Sequence, residues 1–165
     1  MSSLKPPHKA AGPAFRLGEF LPYLLANLSR DVAESFAADH ANRFGLTGPQ
    51  WRVLAVLGEA EGPLSGAEVA RRAAVNLVMG HRAIEGLLQG DLVLQRENAA
   101  DRRKSSLVLS RKGREVYRKL TSIALSFEDE LLSVLSPDER AALRSMVRRL
   151  IDGLRPHSAD GDVQA

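Results

Sequence analysis

Between residues 65 and 109 the chain starts two helices and then changes its period. Ser65-Gly-Ala-Glu68 sets a hydroxyl three residues before a carboxylate, the spacing at which two side chains satisfy free N–H groups at a helix start reciprocally. It opens a short helix over about 66–73 that carries Val69 and Ala70. Asn76 is placed to cap a second helix running to about Gln89, because its side-chain oxygen can accept from an unpaired N–H. Leu92-Val-Leu-Gln-Arg96 and Ser105-Ser-Leu-Val-Leu109 then read as short strands joined by the polar loop Glu97 to Lys104, that is, as a hairpin.

Two short helices joined by a tight turn, with a basic-tipped hairpin directly behind them, make a winged helix-turn-helix. In that arrangement the second helix fits a DNA major groove and the hairpin reaches the neighbouring minor groove. The predicted fold class is mainly α with a small β-hairpin wing, extended by a helical dimerisation region. Leu17, Leu21, Leu24, Leu25, Leu28, Val32 and Phe36 recur at spacings of three and four, which predicts an amphipathic helix of roughly 20–25 residues stopped by Gly45. Pro22 belongs in its first turn, so Leu17 precedes the helix proper. Thr47-Gly-Pro-Gln50 and Ser136-Pro-Asp-Glu139 are two more reciprocal caps. The first opens a helix with Trp51, Val53, Leu54 and Leu57, and the second opens a last helix with Leu143, Met146, Val147, Leu150 and Ile151, ended by Gly153. Ser110 caps a long helix with Val116, Leu120, Ile123, Leu131 and Leu135. The first and last two helices carry apolar faces too long for so small a winged domain to bury, which predicts a homodimer.

Charge sharpens this reading. The net charge of +3 hides a basic middle: residues 71–119 hold 12 Lys and Arg against 5 Asp and Glu, and the flanks are acidic. That distribution suits a nucleic-acid face on a larger body. Zero cysteines exclude disulfides, thiolate metal sites and thiol redox switching. Phe20 to Leu28 is too short to span a bilayer and residues 1–16 lack a secretion core, so the expected location is cytoplasmic with no membrane partner. His8, His40, His81 and His157 lie far apart, and no metalloprotease helix, phosphate-binding glycine loop or nucleophile elbow occurs. No enzyme, catalytic residue, metal site or cofactor is expected.

Leu46-Thr-Gly-Pro-Gln-Trp-Arg-Val-Leu54, Leu64-Ser-Gly-Ala-Glu-Val-Ala-Arg-Arg72, Leu92-Val with Arg96, Asp101-Arg-Arg103 and Leu107-Val-Leu-Ser-Arg-Lys-Gly113 together resemble the MarR family of bacterial transcriptional regulators. The resemblance covers about residues 17–153 in order and spacing. It implies that Arg103 enters a minor groove, where a narrow A·T-rich groove concentrates negative potential, with Asp101 holding the wing arginines. Arg102 and Lys104 fit phosphate contacts. Arg82, in the middle of the second helix of the pair, suits guanine O6 and N7, or else a surface pair with Glu85. Ser65, Asn76, Met79 and Arg96 join this DNA-contact set, as does His81 unless it is an uninvolved surface histidine. Met79, Gly80 and His81 depart from the family pattern, and Asp91 stands where glycine is usual, with Gly90 as a C-cap one residue early. Gly80 and Gly86 should each weaken their helix by up to ~1 kcal/mol.

The resemblance also implies a ligand cavity among the first, second and fifth helices. Trp51 is either core or a wall of that cavity, and Tyr23, Asn27, Arg30, His40 and Arg52 could supply its polar groups. The expected division is a tail at 1–16, dimerisation helices at 17–44 and 111–153 around a DNA-binding part at 47–109, and a tail at 154–165. The expected function is a ligand-responsive DNA-binding regulator, a repressor on a palindromic double-stranded operator, released by a small aromatic acid or its coenzyme A thioester. Two rivals are a regulator that senses nothing and a helical protein-interaction module with a basic face.

Overall fold

A computed structural model of the protein describes residues 15–37, 42–97 and 105–154. The expected tails therefore lie mostly outside the described residues, as do His40 and the wing residues Asp101, Arg102, Arg103 and Lys104. The chain forms two compact units, Met1–Arg118 and Lys119–Ala165.

In the first unit a 3-10 turn at Leu17–Glu19 leads into α1 (Leu21–Phe36), with Pro22 in its first turn. Beyond residues 38–41, which lie outside the described residues, α2 (Asn42–Phe44) is closed by Gly45 at a φ of 65°. That left-handed conformation is open to glycine at little cost, so Gly45 ends the helical turn before it, at the predicted stop. α3 (Gly48–Glu59) starts at the expected cap: the Thr47 backbone N–H donates to Gln50 Oε1 at 2.9 Å and the Thr47 hydroxyl accepts from the Gln50 N–H at 3.4 Å.

α4 (Gly66–Arg72), α5 (Leu77–Gln89), β1 (Val93–Glu97) and β2 (Ser105–Leu109) follow in the predicted order. The strands pair antiparallel, from Val93 opposite Leu109 to Glu97 opposite Ser105. Leu64 adds one further antiparallel bridge to Leu107, with N–H to O distances of 3.2 and 2.8 Å. β1 begins one residue later than expected because the Leu92 N–H is taken by the Leu87 carbonyl, at 2.9 Å. Val53 and Leu54 of α3, Val69 of α4, Leu87 of α5 and Val93 of β1 are completely or almost completely buried and form the core beneath the helix pair.

α6 (Arg111–Leu131) has Ser110 at its start, as predicted, but ends before Leu135. Its first turn is locked to the end of α5. Ser110 Oγ accepts from the Gly113 N–H at 2.8 Å and donates to the Asp91 carbonyl at 2.7 Å, while the Ser110 N–H donates to the Leu92 carbonyl at 3.0 Å. A Cβ on Gly113 would stand 1.9 Å from the Leu92 carbonyl oxygen, so only glycine fits this crossing.

In the second unit, α7 (Pro137–Leu154) opens with the predicted reciprocal cap, the Ser136 N–H donating to Glu139 Oε2 at 2.8 Å and the Glu139 N–H to Ser136 Oγ at 3.4 Å. Gly153 does not end it. That glycine lies inside the helix with a negative φ, so it does not form the left-handed turn that would stop one. Between α6 and α7, Arg140 pairs with Asp129 at 3.7 Å and Arg144 with Glu128 at 3.2 Å. Exposed pairs of this kind contribute little to stability. Among the described residues no helix is long and apolar enough to cross a membrane.

Candidate DNA-binding face

The geometry of the face starts with the turn between α4 and α5. The Ala74 N–H donates to the Arg71 carbonyl and the Val75 N–H to the Ala70 carbonyl, both at 3.2 Å, which closes α4 with a left-handed residue, Ala74, at a φ of 52°. α5 ends in the same way. The Asp91 N–H bonds the Leu88 carbonyl at 3.1 Å and Asp91 itself is left-handed at 57°, whereas Gly90, the C-cap residue, has a φ of −81°. The expected glycine conformation thus falls on Asp91, an aspartate where the family pattern has glycine. Aspartate tolerates this region better than most residues because its short polar side chain can bond locally. The Lys112 ammonium donates to the Gly90 carbonyl at 2.8 Å, setting a cation at the negative end of the α5 dipole.

The two helices cross at Gly80. A Cβ there would lie 2.6 Å from the Ala70 Cβ, so Gly80 is the contact that lets α5 rest on α4. Sequence reasoning saw only its cost in helix propensity. Gly86 is similar, since an added Cβ would lie 2.3 Å from Gln50 Nε2, the end of a flexible side chain that can move aside. With Gly80, Ala83, Ile84 and Leu87 turned inward, α5 presents Val78, Met79, His81 and Arg82 to solvent. Among the described residues no ion pair joins Arg82 to Glu85, so the bland surface-pair reading of Arg82 has no contact behind it.

Ser65 and Asn76, both expected at the DNA, serve as caps. The Ser65 hydroxyl accepts from the Glu68 N–H at 3.2 Å, and Asn76 Oδ1 accepts from the Met79 N–H at 2.9 Å. Their exposed positions at the starts of α4 and α5 leave the Asn76 amide nitrogen free to face a ligand. Arg96 is exposed on β1.

The return arm of the Ser65 cap is absent, which corrects the reciprocal reading. Glu68 turns instead to Arg71, with bonds of 2.6 and 2.9 Å, and to Arg72. Two guanidinium groups attract a carboxylate more strongly than one neutral N–H does. The Arg71 hydrogen bonds, followed by those of Arg72, hold the Glu68 carboxyl down at about 2 from its usual 4.5. A carboxyl lowered on folding stabilises the fold at pH values above its unfolded pKa, and that stabilisation is lost as pH falls toward the folded value. Glu68→Gln should therefore lower the urea midpoint at pH 7, with the gap from the native protein closing between about pH 4.5 and 2. A gap that stays constant across that window would show that the fork contributes nothing to stability.

The residues expected in a ligand cavity are placed apart from this face. Trp51 packs on Phe36, with ring centroids 5.3 Å apart, and so ties α1 to α3. Tyr23 and Arg52 are exposed, Asn27 is half-buried, and Arg30 bonds Asp31 at 3.1 Å. A separate cleft of about 410 Å³ lies between the end of α3, the strands and the start of α6, with Arg96, Arg114, Tyr117 and Arg118 along it.

A pair of helices pinned at a glycine, presenting an arginine-bearing face beside a two-stranded wing, defines a winged-helix DNA-binding protein. Residues 44–104 match the sequence model of the MarR family. The chain is 30% identical to the uncharacterised protein Rv2011c of Mycobacterium tuberculosis over 131 residues, 79% of this chain and 87% of that protein. It superimposes on BpsR of Bordetella bronchiseptica, solved to explain the regulation of its DNA binding by 6-hydroxynicotinic acid, with a TM-score of 0.77, 25% identity, and coverage of 86% of this chain and 99% of that one. The transcriptional repressor CouR bound to a 23-mer DNA duplex gives a TM-score of 0.74 at 28% identity, covering 82% and 94% of the two chains. The protein belongs to the MarR family and is a DNA-binding transcriptional regulator.

Proposed function

We propose that the protein works as a homodimeric repressor that binds an inverted-repeat operator and is released by a small aromatic acid or its coenzyme A thioester. The observation that carries the dimer is apolar exposure. No residue of α1 or α7 is buried in the single chain, and Leu21, Leu25 and Leu28 on the one helix, with Leu150 and Ile151 on the other, are each at least 41% exposed. Apolar stripes of this length on helices are covered by a partner in soluble proteins, and a second copy related by two-fold symmetry is the commonest solution. Two-fold symmetry in turn implies half-sites about one helical turn apart.

In this reading residues 17–44 and 111–153 form the dimer and residues 47–109 meet the DNA. Ser65, Asn76, Met79, His81, Arg82 and Arg96 face the duplex, together with the wing residues Asp101, Arg102, Arg103 and Lys104. Repression is supported by the likeness to CouR, and an aromatic acid by the likeness to BpsR, whose DNA binding responds to one. Tyr23, Asn27, Arg30, His40, Trp51 and Arg52 are the proposed effector contacts, with the Trp51–Phe36 pair as their apolar centre.

An effector lowers DNA affinity only through tighter binding to the DNA-incompetent state, and a tenfold preference corresponds to ~1.4 kcal/mol of coupling. Titrating aromatic carboxylates and their coenzyme A thioesters into the protein–operator complex should release DNA with a matching change in Trp51 fluorescence. Tight binding that leaves operator affinity unchanged would establish a regulator without induction, and no binding would remove this chemical class.

A further inference from the structure

We propose that Val78 and Met79, at the exposed start of α5, read the 5-methyl groups of thymine in the operator's major groove. The inference rests on the placement of α5 in that groove and adds what the helix recognises there.

α5 carries two sets of apolar residues that behave in opposite ways. Ala83, Ile84 and Leu87 are buried, whereas Leu77, Val78 and Met79 are 55%, 62% and 44% exposed. Isolated exposed apolar residues need no explanation, but these three meet in the first turn of one helix, with Val78 outward and Leu77 and Met79 on its two flanks, and together present an apolar patch. Its direction is fixed. The close approach of Gly80 to Ala70 sets the rotation of α5 about its axis, and at about 100° per residue Val78 then points almost directly away from the core. Val78 lies one turn before Arg82 and Met79 three residues before it, so both flank the arginine on its N-terminal side.

Charge complementarity selects the occupant. The patch sits within the basic stretch 71–119, with its 12 Lys and Arg against 5 acids, and beside Arg82, surroundings that favour a polyanion. The major groove of DNA offers apolar side chains one apolar feature, the thymine methyl, and apolar contact with it is a recognised mode of direct readout. Periodicity alone conceals this role, because an apolar residue near a helix start is counted toward the core.

The probe is the duplex this protein selects from a random-sequence pool, with each thymine replaced singly by deoxyuridine, which removes the methyl and leaves every hydrogen-bonding group in place. One or more replacements should weaken binding about fourfold, the equivalent of ~0.8 kcal/mol for one buried methyl-sized group. Val78→Ala or Met79→Ala should abolish that difference. Both variants should fold, since the two positions are exposed and alanine favours helix. The proposal is overturned by a selected duplex without thymine, by deoxyuridine that is neutral everywhere, or by a penalty that survives in both variants. Arg82→Ala separates the two levels. Lost discrimination between selected and random duplexes in that variant, alongside neutral deoxyuridine, removes only the methyl readout; unchanged discrimination removes the groove placement of α5 as well.

Discussion

Alanine at position 113 is expected to destabilise the protein by about 3 kcal/mol, the upper part of the range for overpacking a close contact. Its Cβ would stand 1.9 Å from the Leu92 carbonyl oxygen, and backbone rather than a flexible side chain would have to move. The same carbonyl accepts the Ser110 N–H at 3.0 Å, so relieving the clash also weakens that bond. For a chain of this size the loss corresponds to a fall in Tm of roughly 6–12 °C. Gly153→Ala is the internal comparison: open space surrounds that position in α7, so alanine there should raise stability by up to ~1 kcal/mol. Equal thermal midpoints for Gly113→Ala and the native protein would show that the hairpin base is looser than described.

Leu150→Glu should have an effect of comparable size on DNA binding. Leu150 is 48% exposed on α7, beside Ile151 and one turn beyond Met146 and Val147, and a carboxylate there would be driven into the proposed dimer contact. Specific binding by such regulators typically exceeds non-specific binding by about 4–10 kcal/mol. A monomer touching one half-site keeps about half of that, which translates into a loss of roughly thirtyfold to a few thousandfold. Sedimentation should find a monomer, and circular dichroism should confirm that it is folded. A folded monomer that binds the full operator with native affinity would refute the dimer reading.

Much of this architecture could be read from the chain because its signals are local. Thr47 with Gln50, Ser136 with Glu139, and Asn76 each meet their partners within three residues, so adjacent sequence suffices to place the helix starts. The Ser65 cap was half legible: its hydroxyl acts as predicted, but Glu68 had Arg71 and Arg72 on the same face as stronger competitors. The glycines were misread for a different reason. Helix propensity assigns Gly80 a cost, while its benefit comes from Ala70 across the crossing, which propensity does not see. Gly153 reads as a helix end in the sequence, but the glycine that commonly stops a helix is one whose backbone turns left-handed, and this one does not. At the DNA face, charge and motif order drew attention to Arg82 and the wing, and Val78 passed unnoticed because an apolar residue resembles core until its exposure is known.

The lock between the end of α5 and the start of α6 also governs how the chain can change length in related sequences. From Gly90 to Leu92 each carbonyl accepts a hydrogen bond from the start of α6: Gly90 from the Lys112 ammonium, Asp91 from the Ser110 hydroxyl and Leu92 from the Ser110 N–H. An extra residue in either segment would separate the Ser110 hydroxyl from one of its two partners. Inserted into β1, it would turn Val93 from the core to solvent, since side chains alternate along a strand. Insertions and deletions should therefore collect in the loop between Glu97 and Ser105, where the wing can lengthen or shorten while the hairpin base and α5 stay in register.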